Sequence, residues 1–185
     1  MCKIKVWTKQ HESIIKTLDD QGRYVAKKEF IYKDLGEHAH LVLETYDWLV
    51  KNSPNALSKP EDAEYPIWVS FNKDATMLPS DKFLILELTI NLDIITMINI
   101  NKWGAILNYS YIPANEEDEK RHKNILEQYN VSDAQAFMSQ FYPQIKKEIK
   151  SSWDRLFDDS ITLGNNNCYG NIWEVKKEWV TRIIR

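Results

Sequence analysis

The chain has 185 residues and a formal net charge of −3. A chain of this length buries about 70% of its unfolded surface on folding, so it needs neither disulfides nor a structural metal for stability. The slight excess of acidic residues argues against a broad electrostatic platform for nucleic acid. A nucleic-acid-binding domain stays a less favoured alternative, which would use exposed aromatic residues and the basic C-terminal edge formed by Lys176, Lys177, Arg182 and Arg185. We predict a single domain over residues 1–185.

Cysteine, histidine and hydropathy patterns exclude several classes of protein. Cys2 and Cys168 have no metal-ligand spacing, and so few cysteines suit a reducing compartment. His38 and His40 would point to different faces of a helix, so no metal site is predicted. The first residues, MCKIKVW, lack the apolar segment of a signal peptide, and no run approaches the roughly 18 apolar residues of a membrane span. A cytoplasmic protein with no membrane partner is expected.

The first third of the chain alternates between strand and helix patterns. Residues 3–8 have the two-residue period of a strand, and a short helix from Glu12 is predicted to end near Gly22, a residue that tolerates the left-handed conformation. Residues 34–51 carry an apolar stripe at helical spacing. Residues 52–64 are rich in Pro, Ser and Asn, which predicts a loop.

The stretch 65–92 predicts the centre of the fold. Ile67, Val69 and Phe71 alternate with more polar residues, as in a half-buried strand. Residues 83–92 are apolar on one face throughout and on part of the other, which predicts a central strand. The connection at 72–82 is too long for a tight hairpin, so the two strands are either neighbours or separated by a third strand.

Helices dominate the predictions for the second half. One is expected at 103–109 and one at 119–129, and Ser132 with Gln135 forms a capping-box pattern that starts another. Pro143 is predicted to end or kink that helix, after which helical spacing continues to residue 157. Strands are predicted at 169–173 and 180–184. The fold class is therefore α+β, with mixed, mostly antiparallel sheets flanked by helices.

Motifs for phosphate binding and serine hydrolysis are absent from the sequence: there is no GxGxxG, GxxxxGK[ST] or GxSxG. The candidates that remain are carboxylates inside apolar strands, Glu87 and Glu174. Burying a lone carboxylate is costly, so each is solvated, paired or functional. A solvated sheet face or edge explains either of them without a function, and Asp47 is similarly explained as an exposed helix charge.

Six short segments occur in order over nearly the whole chain. They are WTKQ (7–10), TYDWL (45–49), YPIW (65–68), the W-x-x-IL-N-x-x-YIP pattern (103–113), SW-x-x-LF (152–157) and WEV (173–175). Together they resemble a bacterial family catalogued as domain of unknown function 3841. The resemblance implies membership rather than an activity.

A second pattern concerns the order of elements. A predicted strand that ends around Thr8 runs into a helix and Gly22, an aromatic strand and loop precede an apolar strand, and Glu174 is expected on a late strand. This order resembles the ADP-ribosyltransferase-like fold, in its DNA-modifying toxin branch. The chain departs from that branch at Val6, where the branch has His, and at Asp74, where it has Arg.

This likeness implies a site and a chemistry. Glu174 would be the catalytic carboxylate, and Thr8, Gln10, Tyr65 and Trp68 would line the cleft. Cleavage of NAD develops an oxocarbenium ion that a fixed carboxylate stabilises. NAD or a related nucleotide would then be the substrate, with no cofactor established and the macromolecular acceptor unidentified. The alternative is a non-catalytic binding or regulatory module of the same fold.

Overall fold

The structure is a computed structural model that describes residues 2–29, 32, 39–76 and 78–185. The chain forms two compact units, residues 1–97 together with 168–185, and residues 98–167. The single domain expected over residues 1–185 stays a prediction. None of the helices in the described ranges is long and apolar enough to cross a membrane.

The first unit contains most of the strands. In chain order its elements are β1 (Lys3–His11), α1 (Ser13–Gln21), β2 (Arg23–Tyr24), α2 (Ala39–Asn52), β3 (Ile67–Val69), β4 (Phe83–Asn91), β5 (Thr96–Asn99, at the boundary), β6 (Cys168–Ile172), β7 (Val175–Lys176) and β8 (Val180–Ile184). Helix α1 ends as predicted, because Gly22 adopts the left-handed conformation and its N–H bonds the Leu18 carbonyl. The predicted helix at 34–51 is confirmed from Ala39, and its first residues lie outside the described ranges.

Three small sheets make up this unit. Their strand orders are β1-β4-β8, β2-β7 and β3-β6-β5. Strand β4 is the central strand of the first sheet, as predicted. Trp7 and Ser70 exchange backbone hydrogen bonds of 2.9 and 2.7 Å, so β1 lies between β3 and β4. Of the two arrangements left open for the strands of residues 65–92, separation by a third strand is confirmed.

The core follows from the two-residue period of β1 and β4. Val6 of β1 and the even-numbered residues of β4, Leu86 among them, are buried in one cluster with Ile14 and Leu18 of α1. Glycine is required at one position in this core. A Cβ at Gly170 would lie 2.5 Å from a methyl carbon of Ile95, which leaves no room for a larger residue.

The second unit is helical. Its helices are α3 (Ile100–Leu107), α4 (Glu116–Tyr129), α5 (Asp133–Met138) and α6 (Pro143–Ser152), followed by a 3₁₀ turn at Trp153–Phe157. The capping box of Ser132 and Gln135 is confirmed. The prediction for Pro143 was wrong, because this residue occupies the first turn of α6, where its missing N–H costs nothing. Together the two units confirm the α+β class.

Candidate functional site

Thr8 is a buried connection between β1 and β3. Its hydroxyl donates to the Trp68 carbonyl at 2.8 Å and accepts a 2.8 Å hydrogen bond from the Gln10 side-chain amide. The Thr8 hydroxyl thus donates one hydrogen bond and accepts another within the protein. It therefore positions Gln10 and Trp68 rather than contacting a ligand itself.

Tyr46 and Asp47, two consecutive residues of α2, form hydrogen bonds with the other predicted site residues, Trp68 and Tyr65. The Trp68 indole N–H donates to the Tyr46 hydroxyl at 2.9 Å, and the Tyr65 hydroxyl donates to Asp47 Oδ1 at 2.6 Å. The rings of Tyr46 and Tyr65 meet edge to face, with centroids 5.6 Å apart. We call this set the aromatic cluster; its members are Thr8, Gln10, Tyr46, Asp47, Tyr65 and Trp68.

Both tyrosine hydroxyls of the aromatic cluster stay protonated at neutral pH. Burial raises the pKa of Tyr65 well above its usual range, and the hydrogen bond to the Asp47 carboxylate raises it further. Burial also raises the pKa of Tyr46, against a smaller lowering by the Trp68 hydrogen bond. The Tyr65 hydroxyl therefore remains a donor, and its partner Asp47 is an exposed carboxylate held in one orientation.

Asn171 lies directly across from Trp68 in the β3–β6 pairing and was not predicted from the sequence. It is 5% exposed, and its side-chain amide donates to the Gly170 carbonyl at 3.2 Å. Its Oδ1 atom is buried and accepts no hydrogen bond. An unsatisfied buried acceptor costs about 1–3 kcal/mol, so it marks either strain or a missing donor. The sequence signal was a polar amide inside the apolar strand CYGNI.

Glu174, the predicted catalytic residue, lies three residues beyond Asn171 and is not part of the aromatic cluster. Its carboxylate lies 3.0 Å from the Arg23 guanidinium and 3.4 Å from the Lys176 ammonium. The Asp62 hydrogen bond raises the Arg23 pKa most, and the Glu174 hydrogen bond adds to it. The structure thus joins Thr8, Gln10, Tyr65 and Trp68, and places Glu174 in a separate ion-paired group.

A second polar cluster lies in the helical unit, and the sequence did not indicate it. His122 is buried between two carboxylates, with Nε2 2.7 Å from Asp133 Oδ1 and Nδ1 3.2 Å from Glu148 Oε1. The Tyr111 ring stacks on the imidazole at 3.9 Å. Burial opposes protonation of His122, but the hydrogen bonds and charges of Asp133 and Glu148 outweigh it and raise the His122 pKa. The cluster is a charged structural core rather than an open site.

The stability of the protein is expected to fall as pH rises above about 6.5, through the deprotonation of His122. The folded pKa of His122 lies above its ordinary value of 6.5, so the stabilisation is complete below 6.5 and is lost as pH passes through the raised folded pKa. The titration of one proton changes the free energy of unfolding by at most about 1.4 kcal/mol per pH unit. Urea unfolding between pH 6 and 9 measures it.

The matched variants for this pH prediction are His122→Gln and His11→Gln. His122→Gln is expected to flatten the decline in stability, because glutamine does not titrate. His11 is exposed and lies in the other unit, so His11→Gln is expected to leave the decline as in wild type. An unchanged slope in His122→Gln would contradict a charged imidazole between the carboxylates.

Comparisons with known proteins identify one family. The model described as "Domain of unknown function (DUF3841)" matches residues 5–181 of the chain. No curated protein matches. No solved structure matches either, so these comparisons lend the ADP-ribosyltransferase-like fold no support. Three of the segments that resemble the family, at 7–10, 45–49 and 65–68, contain all six members of the aromatic cluster.

Proposed function

Because the chain belongs to the family described as domain of unknown function 3841, whose description assigns no activity, we propose its function from its own geometry. The first unit is a binding domain for a planar ligand with an N–H donor, such as a nicotinamide or a nucleobase. The ligand is held beside Trp68 and donates to Asn171.

The unsatisfied Oδ1 of Asn171 is the observation that carries this proposal. A buried carbonyl oxygen gains most from a ligand donor, because the oxygen has already lost its water. Its weak bond to the Gly170 carbonyl fixes the orientation of the amide, so the acceptor and not the NH₂ group is the unpaired end. Flat aromatic ligands combine stacking with such a hydrogen bond.

The aromatic cluster supplies the rigid support for this ligand. Tyr46 and the backbone bond from Thr8 hold Trp68 at its indole nitrogen and its carbonyl, so the ring has little freedom. Gln10, which is half-buried, is a second polar contact at the edge. Pre-ordered side chains cost less entropy on binding than mobile ones do.

Titration calorimetry with NAD, nicotinamide and adenosine tests this function. We expect at least one of these probes to bind wild-type protein, and Asn171→Leu to abolish that binding. Asn171→Leu is also expected to raise the free energy of unfolding by about 1–3 kcal/mol, because it removes an unpaired buried acceptor. Gain of stability with loss of binding distinguishes a binding residue from a structural one.

Two outcomes would argue against the binding domain. One is no heat with any of the three probes; the other is binding that survives in Asn171→Leu. The control Asn52→Leu changes an exposed asparagine of the same unit, whose amide bonds the Trp48 carbonyl, and is expected to bind as wild type does. Equal loss of binding in both variants would point to general unfolding.

The second candidate function is cleavage of NAD with Glu174 as the catalytic carboxylate. It is favoured by the orientation that Arg23 gives Glu174, whose side chain is 19% exposed. It is disfavoured by the two cations at that carboxylate, since a paired charge stabilises a developing oxocarbenium ion less. Release of nicotinamide from NAD by wild type, lost in Glu174→Gln, would establish it. Binding without release in either protein would leave the binding domain.

A further inference from the structure

The outer face of the sheet β1-β4-β8 is basic. Along β1 the even-numbered Val6 and Thr8 face the core, so the odd-numbered residues point to the opposite side. Three of these are lysines, Lys3, Lys5 and Lys9, and the last is His11. Successive positions on one side of a strand are about 6.8 Å apart, a spacing that suits the repeating charges of an extended polyanion. The outer face is defined by Lys3, Lys5, Trp7, Lys9, His11, Phe83, Glu87 and Arg182.

Negative charge on this face is largely neutralised. Glu87 is the acidic residue among the odd-numbered positions of β1 and β4, and its carboxylate lies 2.9 Å from the Lys5 ammonium. The hydrogen bond from Lys5, then that from Thr181, lowers the pKa of Glu87. Arg182 lies across from Glu87 on β8 and is exposed, so it adds a cation beside Lys5. Four cations therefore face one carboxylate.

An exposed aromatic ring lies among these cations. Phe83 is 40% exposed, and the His11 ring meets its edge at 5.6 Å. The Lys9 ammonium lies 5.7 Å from the centre of the Phe83 ring and bonds the Leu78 carbonyl, which orients it. A single nucleic-acid strand offers phosphates and unstacked bases. The cations of this face can contact the phosphates, and the exposed ring can stack on a base.

The shape of the outer face argues against two anionic partners, duplex nucleic acid and a lipid surface. A broad three-stranded sheet does not enter the major groove of a duplex, which admits a helix or a two-stranded ribbon. Ile85, the aliphatic residue of β4 on this face, is only 3% exposed. Phe83 is therefore the one exposed apolar side chain that β4 presents here, which is less than the broad apolar face that binds a lipid surface. A single strand can lie flat on such a sheet, with its bases on the ring and its phosphates along the lysines.

We propose that this outer face binds single-stranded nucleic acid. The surface is independent of the ligand site proposed above, because Thr8 and Gln10 lie on the opposite side of β1. The net charge of −3 does not reveal this surface, because net charge sums over all 185 residues, whereas four cations lie together on this face.

Fluorescence anisotropy with labelled oligo-dT and oligo-U of about 12 nucleotides tests the proposal. Four phosphate contacts predict that log affinity falls with log salt concentration with a slope of about −3. The triple variant Lys3→Ala, Lys5→Ala, Lys9→Ala is expected to reduce that slope by about 2 and to weaken binding at least about tenfold at low salt. Phe83→Ala is expected to weaken binding about tenfold without changing the slope.

The control variant removes three positive charges from lysines that lie outside the outer face. Lys16, Lys120 and Lys123 are exposed lysines outside the outer face, and their triple alanine variant is expected to bind as wild type does. Circular dichroism confirms that each variant is folded. The proposal is overturned by no anisotropy change with either oligonucleotide, by equal weakening in both triple variants, or by binding to phosphatidylserine vesicles alone.

Discussion

Replacing Trp153 by alanine is expected to lower the free energy of unfolding of the helical unit by about 3–5 kcal/mol. Trp153 is fully buried, its ring stacks on Phe137 at 5.3 Å and on Tyr109 at 6.5 Å, and its indole N–H donates to the Ser110 carbonyl at 3.1 Å. Alanine leaves a cavity and an unpaired carbonyl. Urea unfolding of wild type and variant measures the loss.

Two further variants separate packing from hydrogen bonding at this position. Trp153→Phe keeps a ring for Phe137 and Tyr109 but has no N–H for Ser110, so a smaller loss is expected. Tyr129→Ala removes a ring that is 56% exposed in the same unit and is expected to change stability by less than about 1 kcal/mol. A loss in Trp153→Ala as small as that in Tyr129→Ala would contradict the buried stack.

Replacing Asp118 by alanine is expected to cost about 3 kcal/mol, the upper end of the range for hydrogen bonds to a charged group, because this half-buried carboxylate accepts several. The Asp118 carboxylate accepts from the Tyr111 hydroxyl at 2.8 and 2.9 Å and from the Ala114 N–H at 2.9 Å, and it pairs with Arg155 at 2.9 Å and Arg121 at 3.0 Å. Its removal takes one acceptor from each guanidinium, although Arg121 keeps Glu148 and Arg155 keeps the Ile112 carbonyl. The Tyr111 hydroxyl and the Ala114 N–H also lose this acceptor. Denaturant unfolding at pH 7 measures the cost.

The same carboxylate makes the unit sensitive to acid. Burial opposes ionisation of Asp118, but its hydrogen bonds and the arginine charges outweigh burial and lower its pKa well below its ordinary value of 3.8. Its contribution is therefore present above pH 3.8 and is lost as pH falls through the folded pKa. Asp154→Ala is the control, since Asp154 is exposed in the same unit. Equal stability of Asp118→Ala and Asp154→Ala would contradict the prediction.

The sequence predicted the secondary-structure elements better than it predicted which side chains form hydrogen bonds and ion pairs with each other. Periodicity placed β4 in the centre of its sheet and α4 over most of its length, because both patterns arise from burial of one face. It did not predict β5, since Thr96 to Asn99 is too short and too rich in polar residues to show a period. Pro143 was misread because a proline that ends one helix and a proline that begins the next look alike in sequence.

The sequence likewise predicted some residues of the candidate site and missed others. Thr8, Gln10, Tyr65 and Trp68 were proposed together from a resemblance, and the structure brings them into one aromatic cluster. Asn171 was missed because a polar amide inside a predicted strand does not show whether its side chain is buried or whether its oxygen finds a donor. Their ligand-binding roles, and the catalytic role of Glu174, stay predictions that the Asn171→Leu and Glu174→Gln variants test.

The sequence by itself determined the α+β class and the two-residue period of β1, because these depend on residues close in the chain. It also determined the family, because the six matching segments occur in order along the chain. Tertiary structure alone decided which polar groups are paired, since partners such as Arg23 and Glu174 are 151 residues apart. Pairing decides charge and chemistry. In the folded protein Glu174 is ion-paired, His122 is buried between two carboxylates, and the Asn171 oxygen has no hydrogen-bond donor.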